Sequence, residues 1–192
     1  MQTLEELPQS CTSALQHPAL RKLRRLGYLI RVLSAGFAAW VLVNILTWWL
    51  NEDLVILNFG RYLGRDLSAA TSMQRMGAMT LDLVAWALML MAVVHFWTFL
   101  HRVCHPQKSF EEASTHLSRG AWFGVSCEAV TELCRPVQSF FMTAHLPWAD
   151  QVWKWRFGVN DLMAILLCLS LLMLAYVFTW TMEVAEENRS FV

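Results

Sequence analysis

The chain lacks the usual apparatus of a soluble enzyme. It has no glycine-rich phosphate loop, no dinucleotide fingerprint and no serine set beside a general base, which excludes nucleotide chemistry and nucleophilic acyl transfer at the level of motifs. Net charge is missing too, since 15 Lys and Arg balance 15 Asp and Glu. No bulk field therefore favours nucleic acid or an acidic substrate, and any electrostatic preference must come from local patches. Cysteine is scarce and scattered. Cys11, Cys104, Cys127, Cys134 and Cys168 form no CxxC pair and no metal-ligand spacing, and three of them fall inside apolar runs, where they read as small apolar residues. No internal repeat and no low-complexity tract is visible.

What the chain has is apolar length. It is 56% hydrophobic with a mean hydropathy of +0.39, above the share of about 45–50% typical of soluble domains. Residues 162–182, LMAILLCLSLLMLAYVFTWTM, carry no charge; at about 1.5 Å per residue they cross a hydrocarbon core of roughly 30 Å as a helix. The acidic tail 183–192 stops that span. Three further apolar stretches, 26–50, 76–100 and 121–146, complete an all-α membrane protein of four transmembrane helices. A cleaved signal peptide is not expected, because the polar and basic tail 1–25 precedes a first run long enough to stay as an anchor.

Arg21, Lys22, Arg24 and Arg25 stand just before the first span and place the N-terminus in the cytoplasm by the positive-inside rule. Contact with anionic lipid explains this cluster better than nucleic acid does, and no direct nucleic-acid binding is expected. Arg31, Arg102, Lys108, Arg119 and Arg189 add to the inner side, against Arg61, Arg65, Arg75, Lys154 and Arg156 outside. Both termini are then cytoplasmic. Trp48, Trp49, Trp148, Trp153 and Trp155 sit near span ends and read as interfacial anchors.

Outside, LVILNF (54–59), closed by Gly60 and Gly64, reads as a short strand. In QVWKWRFGVND (151–161), Trp153, Trp155, Phe157 and Val159 alternate with Lys154, Arg156 and Gly158, a strand period. The two segments are expected to form a small extracytoplasmic cap with a short β-hairpin, and Asn160 or Asp161 to cap the last span. Inside, Ser109 and Glu112 make a capping box that starts a helix near Phe110. That helix lies on the membrane surface or leads straight into the third span. The third stretch is the most polar, so a soluble amphipathic helix competes with a span; an inner loop before it and an inner tail after the last span require two crossings. Pro136 lacks the amide that would bond the Glu132 carbonyl and predicts a kink.

Glu128, Glu132 and Arg135 project from one helical face at spacings of four and three. A lone central charge costs roughly 2.5–3.5 kcal/mol on insertion scales, so these groups should point into the bundle and be paired or neutral. Depth along the spans matches Asp82 with Arg135, and Glu128 or Glu132 with Arg31 or His95. Structural pairing is the leading reading, and a proton relay or ion site is the rival. Haem is not expected, since His95 and His101 crowd one end while His145 lies near the other. His101, Cys104, His105 and His116 fit no structural zinc pattern. No cofactor is assigned.

Two stretches carry a family likeness. KSFEEASTHLSRGAW (108–122) pairs a serine-phenylalanine and acidic residues with a leucine and an arginine-glycine step; LLMLAYVFTWTMEVAEENRSFV (171–192) ends a final span in Glu186, Glu187, Asn188 and then Phe191 and Val192. Together these resemble the bacterial membrane family catalogued as domain of unknown function twenty-nine seventy-five. The resemblance implies a four-span protein of the bacterial inner membrane with no established chemistry. It also implies, by association, a small helix-turn-helix regulator as partner. Phe110, Glu111 and Glu112, with Glu183, Glu186 and Glu187, would offer that basic partner a cytoplasmic docking surface. The leading expectation is a non-enzymatic interaction or regulatory module in the lipid bilayer. The alternative is a small transporter or a ligand- or proton-sensing protein using its intramembrane charges.

Overall fold

The computed structural model describes residues 18–103 and 110–190. Four long helices, α1 (Pro18–Leu50), α3 (Ser72–Val103), α4 (Phe110–Thr143) and α5 (Val159–Ser190), are joined at one end by a short helix α2 (Glu52–Leu63) and a 3-10 turn, Trp148–Asp150. No strand occurs among the described residues. The long helices run alternately up and down, so one end of the bundle gathers α2, the turn and the 144–158 segment. We call it the cap end and the opposite one the tail end.

Three helical stretches are long and apolar enough to cross a membrane: Arg21–Leu50, Ser72–Val103 and Val159–Thr181. The chain is a membrane protein. Leu29, Val32, Leu33, Phe37 and Trp40 on α1, and Leu166, Leu167, Met173 and Trp180 on α5, are exposed. A surface of that kind is untenable in water and suits contact with lipid tails. α4 is as long but carries Glu128, Glu132 and Arg135 in its middle. It packs against both α3 and α5, whereas α1 packs mainly on α3. The most polar long helix is thus also the most sheltered one.

Between α1 and α3 the seam is closed by indoles. Trp86 Nε1 donates to the Ala38 carbonyl at 3.0 Å and Trp97 Nε1 to Ser34 Oγ at 2.8 Å. The α4–α5 contact is tied by Ser114 Oγ, 3.1 Å from the Ala175 carbonyl and 2.5 Å from Thr179 Oγ1. Such small hydroxyl side chains let membrane helices approach closely and bond across the gap. Thr71 and Gln74 form a reciprocal capping box at the start of α3, with bonds of 3.3 and 2.7 Å.

The expected strand at 54–59 is helix instead. Asn51 caps α2 by accepting from the Leu54 amide at 3.2 Å, and Glu52 and Asp53 occupy the positive first turn. Gly64, at φ 68°, ends α2 in the left-handed region, with its own amide and that of Arg65 both donating to the Gly60 carbonyl. Val55 and Leu63 then fall on one buried face with Gly60 and pack with Trp49, Leu67, Ala78 and Met142 into the core of the cap end. Beyond Gly64, Asp66 accepts the Ser68 amide at 2.9 Å, which holds its carboxyl below the usual carboxylate range. Because Gly64 alone has positive φ among the described residues, Gly64→Ala should cost about 1 kcal/mol and lower the Tm in detergent by ~2–4 °C. An unchanged Tm would show that the loop relaxes freely.

Without a partner strand at 54–59, the 151–158 segment lies at the cap end as a stretch outside regular secondary structure. Its alternation holds only in part, because Arg156 is exposed along with the aromatic residues. Trp153, Trp155 and Phe157 are exposed, while Val152 packs on the core and Lys154 sits 4.1 Å from the Tyr62 ring centre. The expected capping residue also takes a different part. Asp161 lies in the first turn of α5 and reaches back to accept the Gly158 amide at 2.6 Å, half of a capping box. Of the two routes for the helix at Phe110, the straight one is observed, since α4 runs unbroken to Thr143 through Pro136. The Ser109 cap lies outside the described residues.

Candidate functional site

Polar side chains converge at the cap end. Asp82, on α3, receives Trp49 Nε1 at 2.6 Å on one oxygen and Gln138 Nε2 at 2.6 Å on the other. Gln138 Nε2 also lies 3.1 Å from the Ala78 carbonyl. One carboxylate therefore joins α1, α3 and α4. Bonds this short on both oxygens suit a charged acceptor. Trp49, expected as an interfacial anchor, is 5% exposed and turned inward.

Arg135, on α4, forms a second knot beside the first. Its guanidinium grips Asp161 through two bonds of 2.9 Å and Glu132 through one of 2.5 Å, and it also donates to the Arg156 carbonyl. The two-pronged contact uses the planar fork of arginine. Helices α4 and α5 and the 151–158 segment are thereby locked together.

The depth-matched pairs are accordingly corrected. Asp82 is bonded to neutral donors rather than to Arg135, although both line the same cavity. Arg31 donates to the Trp97 carbonyl at 3.1 Å and meets neither Glu128 nor Glu132. Glu132 belongs to Arg135 on its own helix. His95 lies 3.1 Å from His116, Nδ1 to Nδ1, and stacks on Phe123. Glu128 makes no hydrogen bond or ion pair among the described residues. For Asp82 the reason is that an indole and an amide satisfy a carboxylate without desolvating a second charge.

Between the two knots lies a cavity of about 350 Å³. Asp82, Gln138 and Arg135 form its polar side, Trp48, Trp49 and Tyr62 its aromatic side, and Arg156 stands at its edge. A polar recess around Arg135, Arg156 and Asp161 adjoins it. Pockets of this build, mostly apolar with a few convergent polar groups, are the usual form of a small-molecule site. Gln138, Trp49 and Asp161 are the members that charge matching overlooked. Gln138 was detectable, because it extends the Glu128, Glu132, Arg135 stripe by one more turn.

At the tail end, Glu112 pairs with Arg102 and Glu187 is exposed. Phe110 and Glu111 open α4, and Glu183 and Glu186 lie on α5, but their side chains are outside the described residues. Cys127, Cys134 and Cys168 are free thiols, with Cys127 Sγ 3.2 Å from the Ala85 carbonyl. Among the described residues no three His, Cys, Asp or Glu side chains come close enough to hold a metal. Comparison with family models, curated proteins and solved structures returns no match.

Proposed function

We propose that the chain is a four-span protein of the bacterial inner membrane, α4 being the fourth span, and that it is a non-enzymatic, ligand-sensing regulatory module. The cap end faces the extracytoplasmic side and both termini face the cytoplasm, a placement supported by Arg21, Lys22, Arg24 and Arg25, which are exposed near the tail end of α1. The receptor is the cavity beside Asp82. One observation carries this reading: a carboxylate inside a cavity, held by neutral donors alone. A ligand that engages Asp82 competes with Trp49 and Gln138, and so biases how α1 and α4 sit on α3. The same helices continue to the tail end, where Arg31 meets Trp97 and Arg102 meets Glu112. Coupling of this kind needs differential affinity for two arrangements, and a ligand on Asp82 would have it by favouring the one in which Trp49 or Gln138 is released.

In keeping with the family resemblance, the cytoplasmic output would be a small helix-turn-helix regulator docked on the acidic tail-end residues. The transporter reading has less support, because the Asp82 and Arg135 knots and the His95–His116 pair share no bond among the described residues. Asp82→Asn keeps the size and one acceptor but removes the charge. It is expected to accumulate normally in membranes and to shift the transcript profile several-fold in the same direction as deletion of the protein. Normal abundance with an unchanged profile would defeat the regulatory reading.

A further inference from the structure

Two opposite charges at this cavity lack opposite partners. Asp82 has no cation within ion-pair distance among the described residues, and each of its oxygens, accepting one bond, retains a free lone pair. Arg156 is exposed; its carbonyl is taken by Arg135, but its guanidinium has no carboxylate in ion-pair range among the described residues and stands 5.9 Å from the Tyr62 ring centre. Arg135 does not supply the missing cation for Asp82. Its fork is held by Asp161 and Glu132, two negative charges against one positive.

From this charge layout we infer that the cavity takes a zwitterion, with its ammonium on Asp82 and its oxyanion on Arg156. The inference rests on the ligand-sensing reading above and adds the chemical class. An anion alone would meet Asp82 and the surplus charge of the Arg135 knot at the deep side. A cation alone would leave Arg156 with only the longer-range field of Asp161 across the adjoining recess. Between the two poles, Trp48 and Trp49 offer rings that attract an ammonium and cover an apolar body, while the Tyr62 ring is already engaged by Lys154 and Arg156. A volume of about 350 Å³ is near the small end of ligand sites and admits a solute of amino-acid size. The same chemistry is carried by the headgroup of an ethanolamine phospholipid in the outer leaflet.

The test uses the full chain in detergent and three probes of one shape: phenylalanine, phenethylamine and 3-phenylpropionate. Phenylalanine is expected to bind about tenfold or more tightly than either single-charge probe, a difference of about 1.4 kcal/mol. Asp82→Asn should erase its advantage over 3-phenylpropionate, and Arg156→Gln its advantage over phenethylamine. The lipid source is read in nanodiscs from the maleimide reactivity of an Asn58→Cys thiol at the cavity wall. Protection by phosphatidylethanolamine and not by phosphatidylglycerol would support the zwitterion with lipid as its source. Equal binding of phenethylamine and phenylalanine, with Arg156→Gln silent, would overturn the zwitterion and leave the receptor cavity standing. If no probe binds and neither lipid protects the thiol, the zwitterion and the receptor reading fall together.

Discussion

Arg135→Gln is expected to remove nearly all folded protein from the membrane fraction. The guanidinium faces two carboxylates and a carbonyl, and the Glu132 and Asp161 side chains are only 12% and 16% exposed. Without Arg135 two negative charges remain at the α4–α5 contact, offset only by the Gly158 amide and the longer-range field of Arg156 on Asp161. Breaking a buried pair by removing one partner costs about 3–5 kcal/mol, and the lower end applies here because 27% of the arginine side chain is still accessible. Against a total stability of roughly 5–15 kcal/mol, that is enough to deplete the native state. Arg135→Lys should recover part of the loss, since an ammonium keeps the charge and forfeits the fork. Arg135→Gln combined with Glu132→Gln and Asp161→Asn should recover more, because it leaves no unpaired charge. Membrane abundance and monodispersity in detergent are the measurements. Normal accumulation of Arg135→Gln alone, or a triple variant no better than the single one, would show that these ions do not hold the bundle.

How much of this could be read from residues alone divides along physical lines. The uncharged run ending at Met182 and the apolar stretches of α1 and α3 announce themselves, because crossing hydrocarbon demands length without charge and little else satisfies that. The cap end was harder. Apolar residues 54–59 fit a strand as well as a helix, and only the flanking Asn51, Glu52, Asp53 and Gly64 decide between them. In residues 153–159 the aromatic side chains all face outward and Lys154 turns in while Arg156 does not; a period in the sequence cannot say which face is inward. At the candidate site, charge matching singled out Asp82 and Arg135 but paired them with each other, whereas Asp82 bonds Trp49 and Gln138 and Arg135 bonds Asp161 and Glu132. Partners for Asp82 could come from any helix, and its indole and amide donors carry no charge to mark them. Asp161 was visible only as a capping residue, because its second role depends on how α5 is set against α4.

A second large effect is expected at Gly120 and Gly124, which share the spacing that lets membrane helices pack closely. A Cβ at Gly120 would lie 3.3 Å from the Ala92 carbonyl oxygen and 3.4 Å from His95 Cβ on α3. One at Gly124 would lie 2.8 Å from Cys168 Sγ on α5. The nearer contact is the milder one. A thiol can swing to another rotamer, whereas a backbone carbonyl moves only with its helix. Alanine gains about 0.5–1 kcal/mol over glycine inside a helix, while overpacking costs typically 1–3 kcal/mol. Gly124→Ala should therefore be nearly neutral, and Gly124→Ala with Cys168→Ala neutral or stabilising. Gly120→Ala should be destabilising by about 1 kcal/mol. Gly120→Leu adds an isopropyl group to a Cβ already hemmed in by the Ala92 carbonyl, His95 Cβ and the Phe96 amide nitrogen, so it should push α3 from α4 along the main contact of the bundle, with a loss of folded protein comparable to that of Arg135→Gln. Thermal unfolding of the four variants in one detergent ranks them directly. If Gly120→Leu unfolds at the temperature of the parent, α3 and α4 are not in the close contact on which the cavity beside Asp82 depends.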